Sequence, residues 1–372
     1  MNIGVNARVL TTENMEGVAR YIYETTKCMA IAHPNDRFIL FFDRNVKAPF
    51  DFPANVSKVI VPVQARDPIL WYIWFELLLP IYLRWYNIDV FYSGDGSLSL
   101  RTNVPTLLVT HDLAYLHYPD HISKRYLSYN KKYVPKFHEK ASSIITVSHY
   151  VKNDVVSKFG IEPSKIHVAY NAVDKLDQKS VSSVIDVKKH IDHPYFIYVG
   201  SLHPRKNIIR MIDGFLRFKS LTNNDYKLVI AGRLAWKSED IKQKLSSSPD
   251  VIYLSMVNEQ LKNELISNAE ALVYISVFEG FGIPIIEAMR LGVPVITSSV
   301  TSMPEVAGDS AILVDPFDVN SIANAMKTLS NDEIIKADLI KKGNERYKYF
   351  SWEKSGDIIY NELLKIAHSE KR

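Results

Sequence analysis

Thirteen short runs of β-branched and aromatic residues recur along the chain, with helix-like segments between them. Seven stand in the first half, at 2–7, 37–43, 58–63, 89–94, 106–111, 143–148 and 165–170. Six more follow at 195–201, 226–232, 250–255, 270–276, 293–299 and 311–315. Several, such as "TLLVTH" and "SIITVS", are nearly continuous apolar runs, the mark of strands covered on both faces in a parallel sheet. Amphipathic stretches such as "HYVKNDVVSKFG" lie between, with Ser148 placed to cap the start and Gly160 to end the helix. The polar stretch 174–194 separates the two series and reads as a linker. The pattern predicts an α/β chain of two doubly wound Rossmann-like domains, 1–173 and 195–350. Ligands are then expected outside the carboxyl ends of the strands, in the cleft between the domains. Residues 351–372 are expected to form a closing helix, capped by Ser351, that packs back on the first domain.

A length of 372 residues agrees with two domains. The chain is 47% apolar and 23% charged, as in an ordinary globular enzyme. Its net charge of +4 is too small to argue for nucleic acid, though it suits anionic small molecules or an acidic membrane surface. The single cysteine, Cys28, excludes an internal disulfide framework and fits a reducing compartment. Its neighbours Ile22, Thr25 and Met29 suggest a buried helix position. The start, "MNIGVNARVL", lacks the features of a signal peptide and reads as a buried strand. The most hydrophobic segment, "PILWYIWFELLLPIYLRWY" at 68–86, is broken by Glu76 and Pro80 before the ~20 apolar residues a membrane span needs. It predicts a long core helix kinked near Pro80. The alternative is a membrane-surface contact through Trp71, Trp74, Trp85 and the tyrosines.

The stretch "VFEGFGIPIIEAMRLGVPV", 277–295, places Glu279 and Glu287 among apolar residues, glycines and prolines. Glu279 comes just past the end of a predicted strand. Gly280 and Gly282 allow close backbone approach to a ligand. Pro284 suits the first turn of a helix that ends near Leu291 and Gly292, and Glu287 falls about one turn inside it. The helix start offers N–H groups to an anion. Two separated hydroxyl acceptors with donors between them match a sugar nucleotide, which carries hydroxyls on both sugars and a diphosphate in between. Taken singly, a glutamate early in a helix is favoured by the dipole alone, and a loop glutamate can simply be solvated.

"EGFGIPIIE" resembles the two-glutamate motif of the family-4 retaining glycosyltransferases of the GT-B fold. The similarity extends to "HDL" at 111–113, "ITVS" at 145–148, "VGSLHPRKN" at 199–207, "AGR" at 231–233 and "TSMPEVAGDSAILVDP" at 301–316. It looks closest to bacterial members that add mannose or similar sugars to lipopolysaccharide and capsule precursors. The resemblance implies that Glu279 accepts from donor-sugar hydroxyls, with the amides of Gly280, Phe281 and Gly282 facing the same sugar. Glu287 would bind the ribose, and the N–H groups of Ile283 and Ile285 the phosphates. Arg205 and Lys206, expected at a helix amino terminus, would neutralise the leaving diphosphate. His111 would face the donor, with a satisfied structural histidine as the competing reading. The base would meet backbone around Gly232, Arg233, Leu254 and Met256. Many relatives carry two adjacent glycines in the loop after the first strand, whereas this chain reads Glu16-Gly17 and leaves Gly17 as the candidate. Ala172 stands where relatives commonly have glycine.

No Asp-x-Asp signature follows a strand and no Cys/His cluster has ligand spacing, and the resemblance implies metal-independent transfer without a cofactor. The expected donor is a nucleotide-diphosphate sugar, GDP-mannose favoured, and the acceptor a glycan or polyprenyl-diphosphate-linked glycan. Such an acceptor would place the enzyme in the cytoplasm, in peripheral contact with the inner membrane face. A sugar-nucleotide epimerase on the same architecture and a non-catalytic binding subunit are the rival readings.

Overall fold

The structure, a computed structural model, describes residues 1–11, 15, 17–46, 50–174, 191–235 and 239–369. Most of the expected linker, 175–190, and part of the loop before Gly17 lie outside the described residues. The chain divides into two compact units, one of Met1–Asn171 with Ser351–Arg372 and one of Ala172–Phe350.

Seven strands form the sheet of the first unit: β1 (Asn2–Asn6), β2 (Arg37–Phe42), β3 (Val56–Ile60), β4 (Val90–Ser93), β5 (Thr106–Thr110), β6 (Ser143–Thr146) and β7 (Ile166–Val168). Their order is β3-β2-β1-β4-β5-β6-β7, with all pairs parallel. Every residue of β4, β5 and β6 is buried, as their unbroken apolar runs require. Gly4 is explained by its neighbours: a Cβ there would lie 2.9 Å from the Phe91 ring, 3.0 Å from Ile88 and 3.1 Å from the Phe41 ring. Those three side chains belong to one buried cluster with Trp74 and Leu79.

The caps fall where the sequence puts them. The Ser148 hydroxyl accepts from Val151 N–H at 3.2 Å, Gly160 takes the left-handed conformation, and Ser351 Oγ accepts from Lys354 N–H at 3.1 Å. The helix Trp352–Ser369 belongs to the first unit and packs on the helix Val18–Ala32. Gly356 permits that approach, since a Cβ there would lie 3.2 Å from the Cys28 Cβ. Cys28 itself is only partly buried.

The segment 68–86 is a helix with its irregularity just before Pro80. Asp67 caps a first turn, Pro68–Tyr72, and the chain then widens into a π-helical stretch, Ile73–Leu78, before Leu79–Trp85 resumes the α-helix. Pro80 follows that stretch within a continuous helical backbone, and its ring and missing N–H act on the carbonyl four residues back, Glu76, which lies in the widened turn. No helix among the described residues is long and apolar enough to cross a membrane.

The second unit repeats the winding with β8 (Tyr195–Val199), β9 (Lys227–Ala231), β10 (Val251–Leu254), β11 (Ala271–Tyr274), β12 (Val295–Ser298) and β13 (Ile312–Val314). The order β10-β9-β8-β11-β12-β13 puts its reversal between β8 and β11. In doubly wound sheets that reversal opens a crevice at the carboxyl ends of the strands.

Gly4→Val should lower stability by about 1–3 kcal/mol, because added methyls must displace packed rings. Urea unfolding of the variant checks this; an unchanged midpoint would show that the cluster can relax.

Candidate active site

The reversal in the second unit brings two loops together. After β8 the chain makes a single 3₁₀ turn, Pro204–Lys206, and Asn207 then enters the left-handed conformation to start the helix Ile208–Thr222. The Asn207 amide donates to Ile275 O at 3.2 Å and Pro316 O at 2.6 Å, which ties this turn to the end of β11. Arg205 and Lys206 therefore stand one turn before the long helix rather than in its first turn, because Asn207 breaks the path between them.

Glu279 lies in the loop after β11 and is 6% exposed. Arg205 Nη1 donates to its Oε2 at 2.9 Å, while Lys206 Nζ and the Tyr274 hydroxyl donate to its Oε1 at 2.5 and 2.9 Å. Lys206 Nζ also reaches Tyr274 Oη at 2.7 Å. Burial raises the Glu279 pKa, but the charges of Lys206 and Arg205 outweigh it and hold the carboxyl at about 2. The Glu279 carboxylate thus meets two cations within its own unit.

A third loop completes the support. Glu279 N–H donates to Thr301 Oγ1 at 3.3 Å, and the Ser302 hydroxyl donates to Glu279 O at 3.0 Å and Phe281 O at 3.1 Å. Thr301 holds φ 60°, a region β-branched residues rarely occupy.

Gly282, at φ 101°, leads into the helix Ile283–Arg290. Phe281 is buried with its ring edge-on to Phe350 at 5.3 Å, and Gly280 is buried beside it. The Ile285 N–H, expected at a phosphate, instead donates to Gly282 O at 3.0 Å, since the first helical turn closes on itself. Glu287 is 6% exposed and accepts from Lys262 Nζ at 2.9 Å. Burial lowers the Lys262 pKa, but Glu287 and Glu259 outweigh it and lift it above the ordinary lysine value.

Gly232 is required for packing. At φ 150°, a Cβ would lie 1.9 Å from Gly200 O. Its N–H donates to Leu254 O at 3.0 Å and its carbonyl accepts from the Tyr253 hydroxyl at 3.0 Å. The Arg233 carbonyl accepts from Leu202 N–H at 2.8 Å. These backbone groups, expected at a base, are spent on neighbouring loops, whereas the Arg233 side chain and Met256 are exposed.

In the first unit, His111 follows β5 and its Nε2 lies 2.8 Å from Gly94 O, which fixes the proton on Nε2 and leaves Nδ1 as an acceptor. Burial lowers its pKa below the ordinary value despite the Gly94 carbonyl and Asp112, so the imidazole is neutral at pH 7. Gly17, at φ 49°, starts the helix Val18–Ala32 and is exposed. Among the described residues no group of three or more His, Cys, Asp or Glu side chains could hold a metal.

The sequence reasoning missed Tyr274, Lys262, Asn207, Thr301 and Ser302. The last two opened a stretch whose resemblance was noted without assigning them a role.

Comparison with known proteins fits this geometry. Residues 15–175 match the model described as Glycosyltransferase Family 4, and residues 184–346 match Glycosyl transferases group 1. The chain is a glycosyltransferase. It is 28% identical over 361 residues to O-antigen chain mannosyltransferase B of Escherichia coli, covering 91% of this chain and 93% of the relative. It is 29% identical to O-antigen chain mannosyltransferase RfbU of Salmonella typhimurium, covering 87% of each. The structure of sucrose-phosphate synthase from Thermosynechococcus elongatus matches with a TM-score of 0.76 at 19% identity, over 98% of this chain and 99% of that one. The glycosyltransferase therefore has the GT-B fold, built from two Rossmann-like domains. Its mannosyltransferase relatives favour transfer over the epimerase alternative.

A charge held in place this way has a defined pH signature. The folded pKa of Glu279 is depressed from 4.5 to about 2, so its stabilisation is fully present above pH 4.5 and is lost as pH falls through 2. Glu279→Gln should cost this glycosyltransferase about 3 kcal/mol at pH 7, with the deficit shrinking between pH 4.5 and 2. Denaturant titrations across that range test the assignment, and a deficit independent of pH would refute it.

Proposed function

We propose that the enzyme transfers mannose from GDP-mannose to a hydroxyl of a glycan or polyprenyl-diphosphate-linked glycan, with retention at the anomeric carbon and without a metal. The observation that carries this reading is the Arg205–Lys206–Glu279 cluster at the carboxyl edge of the second unit. Two cations, Arg205 and Lys206, stand against the ionised Glu279 carboxylate at the loop where the helix Ile283–Arg290 begins. A departing diphosphate needs such cations. The named mannosyltransferase relatives support the choice of mannose.

In the transfer, the C1–O bond to the diphosphate breaks and its electron pair goes to the diphosphate. The acceptor oxygen bonds to C1 from the same face, and its proton passes to a diphosphate oxygen. Glu279 orients the transferred sugar and, through its hydrogen bonds, keeps Arg205 and Lys206 in place before the donor arrives. Glu287, paired with Lys262, holds the ribose hydroxyls. His111, in the first unit, is neutral and keeps Nδ1 as an acceptor. A lipid-linked acceptor brings the enzyme to the cytoplasmic membrane face, where Ile69, Ile81 and Trp85, 67%, 60% and 72% exposed, supply peripheral contact.

GDP-mannose should raise the melting temperature more than UDP-glucose, UDP-GlcNAc or a dTDP-sugar, since a ligand that binds only the native state stabilises it. Equal shifts from all four would remove the base preference. Arg205→Ala should lower kcat by about 10²–10³-fold. Lys206 still pairs Glu279 in that variant, so near-normal turnover by a folded protein would eliminate the phosphate clamp.

A further inference from the structure

A second site stands in the first unit, apart from the residues already assigned. Between the segment 68–85 and the helix Lys124–Lys140 lies a cavity of about 440 Å³. Packed interiors rarely leave voids larger than a water molecule, and this volume falls in the ~300–1,000 Å³ range of ligand pockets. Its walls are aromatic. Trp71 and Tyr129 meet at 4.9 Å between ring centroids, Tyr129 and Tyr133 at 4.8 Å, and Tyr133 and Phe137 at 6.2 Å. The three from the long helix recur at spacings of four, on one face.

One polar group in the wall lacks a partner. Glu76, presented by the π-helical turn, accepts from Leu100 N–H at 2.9 Å through Oε1. Its Oε2 is buried without a hydrogen bond among the described residues. A buried acceptor left unmade costs free energy, so a ligand that donates there recovers it. At the rim, Arg101 donates to the Tyr72 hydroxyl at 2.7 Å and is itself exposed.

The chemistry selects among ligand classes. An isoprenoid chain would fill the aromatic space but leave Oε2 without a donor. An ammonium ligand would compete for the Trp71 and Phe75 rings with the Arg8 guanidinium, which sits 5.2 and 5.7 Å from them and is itself paired with Asp95 at 2.6 Å. A pyranose satisfies both demands, with apolar C–H faces for the rings and hydroxyls for the carboxylate. We infer that this cavity is a carbohydrate subsite that holds one sugar unit of a glycan, with a hydroxyl donating to Glu76 Oε2 and the ring lying against Tyr129 and Tyr133. The inference rests on the transfer reading above and adds the place in the first unit where the acceptor glycan is gripped.

Saturation-transfer NMR with α-linked mannotriose, maltotriose and chitotriose tests it, with farnesyl diphosphate as the apolar competitor. At least one oligosaccharide should bind the wild-type protein, and Glu76→Gln and Tyr133→Ala should each weaken it about tenfold. Glu76→Gln keeps an oxygen for Leu100, and Tyr133→Phe should retain binding because the ring remains. The melting-temperature shift with GDP-mannose is read on the same samples. Its absence in the wild-type protein strikes the donor reading. Its presence in every variant, with oligosaccharide binding unchanged by Glu76→Gln and Tyr133→Ala, overturns the subsite. No binding of any oligosaccharide to the wild-type protein, or displacement of a bound one by farnesyl diphosphate alone, also overturns it.

Discussion

The second unit is organised around a carboxylate that would be prohibitively costly to bury alone. Glu279 loses its hydration in the loop after β11, and it stays charged because Arg205 and Lys206 arrive from the turn after β8. Each partner in turn depends on the others: removing the carboxylate leaves a buried ammonium, and removing the lysine leaves a carboxylate held by one guanidinium and a phenol. The carboxyl ends of β8, β11 and β12 are therefore coupled through charge and through the Thr301 and Ser302 hydroxyls. Such coupling arranges the loops ahead of substrate, so little reorganisation is left for the reaction itself.

Glu287 is built on a similar plan at smaller scale, with the partly buried Lys262 as a partner. The two glutamates differ in what surrounds their charge. Glu279 meets both Arg205 and Lys206, whereas Lys262 is shared between Glu287 and the more exposed Glu259.

The strand pattern was legible because buried parallel strands need unbroken apolar runs, and every one of the thirteen strands overlaps its run. The caps at Ser148, Gly160 and Ser351 were legible because they act within a few residues. The supports of Glu279 were not. Tyr274 looks like any strand aromatic, and its hydroxyl acquires a role only when Lys206, 68 residues away, folds beside it. The same holds for Ser302, whose partners are 21 and 23 residues upstream. Pro80 did signal an irregularity in this helix, since the Glu76 carbonyl four residues back loses its N–H partner, but the π-helical form of the turn at Ile73–Leu78 was not legible. The Ile285 amide was read as open because helix starts in general offer donors, but here the Gly282 carbonyl takes it.

The helix Trp352–Ser369 completes the first unit after the whole of the second has intervened in the chain. During synthesis, residues 1–171 must wait for some 180 further residues, at about 5–20 residues per second, before the helix that covers Val18–Ala32 emerges. The continuous second unit is under no such delay. The usual amino-to-carboxyl order of domain maturation is thus inverted, and the surface around Cys28 and Met29 stays uncovered for that interval, open to chaperones.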